Sequence, residues 1–181
     1  MKSIVNNKAL ASGAALILTG IFILWEHFNG GVITHHLLAR EDMPGISNLW
    51  GLLTIPLLSW LTVSLIQRRR DKKRKLGLDL GNFETQVLKH FLAALVFGII
   101  ASLLWEFNLE DYLQYYILLP VLIALFRPVH FPECFLGFVI GMLFTFGGIL
   151  PMIIGVVLLV LCFLANIIIR VLKNLLFSKG S

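Results

Sequence analysis

Six long runs of apolar residues are the feature that most limits how this chain can fold. They cover residues 9–28, 49–66, 87–107, 112–126, 134–150 and 151–172. A helix needs about 20 apolar residues to cross a bilayer, and most of these runs approach that length. Strands of a membrane barrel alternate apolar and polar residues, whereas these runs are apolar throughout, which favours helices. The sequence therefore predicts an all-α integral membrane protein, a bundle of six transmembrane helices that forms one domain over residues 1–181.

The composition supports the same class of protein. Hydrophobic residues make up 58% of the chain and charged residues 14%. Soluble domains have about 45–50% apolar and about 25% charged residues, so a water-soluble globule and a disordered chain are both excluded. Two cysteines in 181 residues also exclude a disulfide scaffold.

The positions of the basic residues predict the orientation of the bundle. Short cytoplasmic loops of membrane proteins are enriched in Lys and Arg. If the N-terminus is cytoplasmic, every Lys and Arg except Arg40 lies on the cytoplasmic side. We therefore predict that both termini are cytoplasmic and that the chain crosses a plasma or inner membrane several times.

A dense basic run follows the second apolar segment. Its members are Arg68, Arg69, Arg70, Lys72, Lys73, Arg74 and Lys75. The run is typical of a cytoplasmic loop that fixes topology, and each basic residue near an anionic leaflet contributes about 1 kcal/mol to lipid contact. No aromatic residue interrupts it, which argues against a nucleic-acid partner. Membrane lipids are the predicted partners, and a homo-oligomer or another membrane protein stays open.

Imidazole and carboxylate groups concentrate beyond the first apolar segment, on the predicted outer face. The candidates for a metal site there are Glu26, His27, His35, His36 and Asp42, joined by Glu106 at the end of the third segment. This ligand set suits zinc, copper or iron. Residues 32–40 are expected to form a short interfacial or re-entrant helix, on which adjacent histidines point about 100° apart, so the spacing is not diagnostic. A metal-free ligand site, a proton-handling site and a purely structural polar network remain alternatives.

A second polar cluster lies between the fourth and fifth segments, on the predicted cytoplasmic face. Its candidates are Arg127, His130 and Glu133. Pro128 and Pro132 prevent a continuous helix, so a shaped connection is expected. These side chains are candidates for contact with lipid headgroups or for gating a cytoplasmic opening, and a simple topogenic turn is the alternative. The two clusters are a membrane thickness apart and do not form one centre.

Gly137 and Gly141 form a GxxxG pair on the fifth segment. Small residues at this spacing allow two membrane helices to approach closely. A chance spacing in a glycine-rich sequence is the alternative.

Two classes of function are compatible with these features. The first is a metal-dependent membrane enzyme, in which the metal activates water against a lipid or small amphiphile. The second is a non-enzymatic small transporter or an accessory subunit, in which the outer cluster is a packing network. A spatially converging outer cluster favours the first class.

Overall fold

Helices account for most of residues 7–36, 45–127 and 129–177, which are the residues that the computed structural model describes. The helices are α1 (Lys8–Phe28), α2 (Gly51–Lys75), α3 (Phe83–Glu106), α4 (Glu110–Tyr116), α5 (Leu119–Ala124), α6 (Pro132–Phe146) and α7 (Ile149–Phe177). Between α1 and α2 lie two short strands, β1 (Thr34–His36) and β2 (Gly45–Ser47), followed by a 3₁₀ turn at Asn48–Trp50. The predicted helical class is thus confirmed.

Four helical segments are long and apolar enough to cross a membrane. They are Lys8–Phe28, Asn48–Lys75, Phe83–Glu106 and Ile149–Ile169. α6 has 15 residues, which at about 1.5 Å per residue is shorter than a bilayer core of about 30 Å. The predicted segment 112–126 is divided between α4 and α5, and the break precedes Pro120. The membrane class is supported, and the six-helix count stays a prediction.

The basic run is helical and not a loop. α2 continues through Lys75, and its last turn contains four basic residues, Lys72 to Lys75. Lys and Arg are good helix formers, and positive charge at a helix C-terminus interacts favourably with the helix dipole. Gly77, with φ +67°, follows the end of the helix. Such a glycine commonly ends a helix because it adopts positive φ without a steric penalty.

The segment after α1 also differs from the expected interfacial helix. Gly30 and Gly31 have φ of +122° and +105°, and the chain then becomes extended. β1 pairs with β2 in antiparallel register, with Thr34 opposite Ser47. β-branched residues at 32–34 favour extended backbone, which explains the strand. Residues 37–44 lie outside the described part.

α3 and α6 pack with their backbones in contact. A Cβ atom placed on Gly98 would lie 2.6 Å from the carbonyl oxygen of Phe138, and one placed on Gly141 would lie 2.5 Å from that of Leu95. Ser102 Oγ donates to the Gly141 carbonyl oxygen at 3.3 Å across the same contact. The predicted close helix approach is therefore confirmed.

The buried core lies where α6 meets α2 and α3. Ile55, Ala101, Val139 and Leu143 are fully buried there. Many large apolar side chains face outward instead, among them Phe126, which is 86% exposed. An apolar surface of this extent is typical of a protein surrounded by lipid.

Candidate functional sites at the two ends of the bundle

Glu26 and Asn48 meet at one end of the bundle, which we call the hairpin end because β1 and β2 lie there. Glu26 is in the last turn of α1, and Asn48 opens the 3₁₀ turn before α2. Both side chains are buried, and Asn48 Nδ2 donates to Glu26 Oε1 at 2.5 Å. The Asn48 backbone N–H donates to the carbonyl oxygen of Ile33 at 3.1 Å. Asn48 therefore joins the end of α1, the hairpin and the start of α2.

The turn between α6 and α7 closes over this hydrogen bond. Gly147 has φ +67°, and a Cβ atom there would overlap Asn48 Oδ1. Gly148 lies against Gly51, because a Cβ on Gly148 would come within 2.9 Å of the Gly51 Cα. The hairpin end is thus a packed junction of four chain segments, with a polar pair inside it.

The residues predicted to bind a metal differ in burial at this end. Glu26 is buried, whereas His27 and Glu106 are exposed, and the His27 ring lies 5.7 Å from that of Phe28. Within the described ranges no group of three or more His, Cys, Asp or Glu side chains is placed to hold a metal ion. His35 and His36 lie on β1, opposite Ile46 and Gly45. Their side chains and Asp42 are outside what the structure describes, so the metal site stays a prediction.

Glu133 is the centre of the opposite end, which we call the basic end because residues 67–75 lie there. It sits in the first turn of α6 and is 1% exposed. Arg69 Nη2 lies 2.6 Å from Glu133 Oε1, and His90 Nδ1 lies 3.4 Å from the same oxygen. The ion pair and the histidine join α2, α3 and α6.

The members of the predicted cluster of Arg127, His130 and Glu133 have different surroundings. Glu133 contacts Arg69 and His90. Arg127 is exposed. The His130 ring packs against Phe131 and Phe163, with centroids 5.5 Å apart in each case.

Aromatic rings hold the partners of Glu133 in place. The Arg69 guanidinium lies 4.7 Å from the centroid of Phe131 and 5.3 Å from that of Phe83. The His90 ring stacks on Phe131 at 5.0 Å with an interplanar angle of 16°. A cation near aromatic rings gains about 0.5–2 kcal/mol, so these contacts favour one orientation of the Arg69 side chain.

The remaining basic residues of α2 divide into two groups. Arg70 Nη1 lies 3.9 Å from Glu84 Oε1, and Lys73 Nζ lies 5.3 Å from the Phe83 ring, so both turn toward α3. The exposed residues are Arg68, Lys72, Arg74 and Lys75. Contact with lipid headgroups was predicted for the whole basic run. The exposed side chains of this second group are free to make such contacts.

The Arg69–Glu133 ion pair is incompletely hydrogen-bonded. Both partners of Glu133 approach Oε1, and neither Glu133 Oε2 nor Arg69 Nε has a hydrogen-bond partner among the described residues. Leaving a buried polar group unsatisfied costs about 1–3 kcal/mol, and more when the group is charged. The pair therefore contains an unsatisfied buried acceptor, Glu133 Oε2, and an unsatisfied buried donor, Arg69 Nε.

A cavity of about 520 Å³ extends from Glu133 between α1, α2, α3 and α6. Its other lining residues are mostly apolar or small: Ala11, Ala14, Ala15, Leu18, Ser59, Thr62, Val63, Ile66, Glu84, Thr85, Val87, Leu88, Phe91, Leu136 and Ile140. We call it the Glu133 cavity. Ligand sites typically measure about 300–1,000 Å³ and combine an apolar lining with few polar groups, as this cavity does.

A smaller cavity of about 230 Å³ lies on the other side of α3. His90 lines it together with Cys134, Cys162 and Pro120. His90 thus contacts this space, while its ring nitrogen faces the carboxylate that lines the larger cavity.

No protein-family model, curated protein or solved structure matches the chain, so its residues alone define what the two ends can do. The basic end combines a buried ion pair with an apolar cavity. This arrangement is suited to holding a polar group attached to an apolar body.

Proposed function

We propose that this chain is an integral membrane protein that binds a membrane amphiphile in the Glu133 cavity, with the head group of the amphiphile at Glu133. The observation that carries the proposal is the unpartnered Glu133 Oε2 of a residue that is 1% exposed and lines a largely apolar cavity. A hydrogen bond from a bound head group removes the cost of that unsatisfied oxygen.

The shape of the cavity supports an occupant with an apolar tail. Ala11, Ala14 and Ala15 leave space on α1 opposite Leu88 and Phe91 of α3. In a bilayer this space is filled by lipid or by a bound molecule, because an empty apolar cavity forfeits dispersion contacts. A tail in the cavity packs against the apolar lining, and a head group at Glu133 supplies the missing hydrogen bond to Oε2.

The proposed topology places the basic end on the cytoplasmic side, with both termini there and six membrane segments. The excess of Lys and Arg at this end supports it. The Arg69–Glu133 contact brings the end of α2 and the start of α6 to the same end, as that topology requires. The bound head group then lies at the cytoplasmic surface.

A metal-dependent enzyme at the hairpin end is the second proposal. It is favoured by the buried Glu26, whose Oε2 has no hydrogen-bond partner in the described ranges, beside the hairpin that carries His35 and His36. Its test is the metal content of the purified protein beside that of a His35→Ala, His36→Ala variant. Near-stoichiometric zinc, copper or iron that the variant loses would support it, and equal content in both would reject it.

The test of the main proposal is native mass spectrometry of protein released from membranes in a mild detergent. Ala14→Phe places a phenyl ring in the Glu133 cavity, and Ala9→Phe adds the same ring at an exposed position of α1 outside it. We expect one bound amphiphile on the wild type and on Ala9→Phe, and at least a fivefold lower occupancy on Ala14→Phe. Equal occupancy of the two variants, or no adduct on the wild type even after reconstitution in lipid nanodiscs, would overturn the proposal.

A further inference from the structure

The Arg69–Glu133 pair limits the chemistry of the head group that fits beside it. We infer that the Glu133 cavity selects an amphiphile whose head is a neutral hydroxyl, that is, a long-chain alcohol or a glyceride with a free hydroxyl. This inference rests on the proposed binding function and concerns the class of ligand.

The hydrogen-bond pattern of Glu133 requires a head group that donates. Arg69 and Glu133 are joined through Nη2 and Oε1, which leaves Glu133 Oε2 as a buried acceptor that is unpartnered in the described structure. Glu133 lines the cavity, whereas Arg69 lies behind it and is not among the lining residues. A hydroxyl group carries one donor, so it can supply the missing hydrogen bond without adding charge.

Other head groups of membrane amphiphiles match this pattern less well. An ionised carboxylate or phosphate ester lacks a donor for Oε2, and it adds negative charge near Glu133 and Glu84 at the cavity wall. A quaternary ammonium has no N–H donor and no acceptor. It also adds positive charge where Arg69 already neutralises the carboxylate at 2.6 Å, and where His90 lies 3.4 Å from the same oxygen.

Charge balance points in the same direction. A neutral head group leaves the neutral Arg69–Glu133 pair intact inside a largely apolar space. A charged head group brings an unpaired charge there, and desolvation of an unpaired charge is expensive. The hydroxyl is therefore the head group that gains hydrogen bonds without this penalty.

The test is equilibrium binding of three radiolabelled probes of equal chain length to the protein in phosphatidylcholine nanodiscs: dodecanol, dodecanoate and dodecyltrimethylammonium. Empty nanodiscs supply the partitioning background. We expect saturable binding of dodecanol at least about tenfold tighter than that of either charged probe. Glu133→Gln keeps the shape of the side chain but removes the charge and one acceptor oxygen, so we expect it to reduce this preference, and Ala9→Phe to retain it.

Each outcome has a distinct meaning. Saturable binding of all three probes with similar affinity, or tighter binding of a charged probe, overturns the inference about the head group and leaves amphiphile binding intact. Saturable binding of none of them, with no adduct in the mass-spectrometry experiment, overturns the binding function itself. A preference for dodecanol that Glu133→Gln fully retains also overturns the inference, because selection would then not depend on Glu133. If that variant does not fold, the selectivity of the wild type decides alone.

Discussion

Arg69 Nη2 lies 2.6 Å from Glu133 Oε1, and this contact fixes the end of α2 against the start of α6. The glutamate is 1% exposed, so its charge depends on the arginine for compensation. Because Glu133 also lines the Glu133 cavity, the same contact stabilises the fold and holds one side chain of the proposed site in place.

Removal of the arginine is predicted to destabilise the protein. Loss of one partner of a buried ion pair costs about 3–5 kcal/mol, and the partial exposure of Arg69 places Arg69→Gln at the lower end of that range. For a chain of this size, each kcal/mol lowers the unfolding midpoint by about 2–4 °C. Thermal unfolding in detergent measures the effect. Arg68→Gln, at an exposed position beside it, is the control, and equal midpoints for the two variants would contradict the importance of the pair.

The Glu26–Asn48 hydrogen bond is predicted to hold the hairpin end together. Asn48→Leu leaves the buried Glu26 without its donor and is expected to cost about 1–3 kcal/mol. Asn29→Leu is the matched control, because Asn29 is exposed and its side-chain Nδ2 donates to the nearby Trp25 carbonyl oxygen. We expect hydrogen exchange over residues 26–50 to rise in Asn48→Leu alone. A similar rise in both variants would show that the buried hydrogen bond contributes nothing specific.

The backbone contact between α3 and α6 predicts a strong response to a single methyl group. In Gly141→Ala the new Cβ meets the Leu95 carbonyl oxygen at 2.5 Å unless the helices separate. Such overpacking costs about 1–3 kcal/mol. Gly20→Ala on α1 has nothing within 4 Å of the new atom and is expected to be neutral or stabilising. Chemical denaturation of the two variants measures the contrast, and a stable Gly141→Ala would refute the close packing.

The proposed topology predicts opposite accessibility of the two ends. Single cysteines are introduced as Asn29→Cys and Lys75→Cys, after both native cysteines are replaced by alanine. A membrane-impermeant maleimide applied to intact cells is expected to label the cysteine at position 29, and to label that at position 75 only after permeabilisation. The reverse pattern, or equal labelling in intact cells, would exclude a cytoplasmic basic end.

The sequence was sufficient to predict the helical membrane class, because apolar runs of bilayer length form few structures other than transmembrane helices. It also contained unused signals for the basic-end site. Arg69 follows Thr62 and Ile66 at helical spacing, and His90 follows Phe83 and Val87 in the same way, so both lie on buried helix faces. These periodicities predict that each residue lies on the same helix face as the buried residues before it.

The pairing of those faces was not predictable from local patterns. Arg69 and Glu133 are 64 positions apart, and their contact depends on how α2, α3 and α6 pack. Local sequence therefore groups Glu133 with Arg127 and His130, which lie within six positions of it. Asn48 was missed for a similar reason, since an asparagine just before a helix suggests a cap and not a partner for Glu26.

Photo-crosslinking tests the central claim most directly. Dodecanol with a diazirine in its tail is irradiated with the protein in nanodiscs, and the labelled residues are mapped by peptide mass spectrometry. The account predicts labels on residues that line the Glu133 cavity, such as Leu18, Leu88 and Phe91, and predicts that excess unlabelled dodecanol removes them. Labels spread over exposed positions such as Leu57 and Val157, unchanged by the competitor, would contradict it.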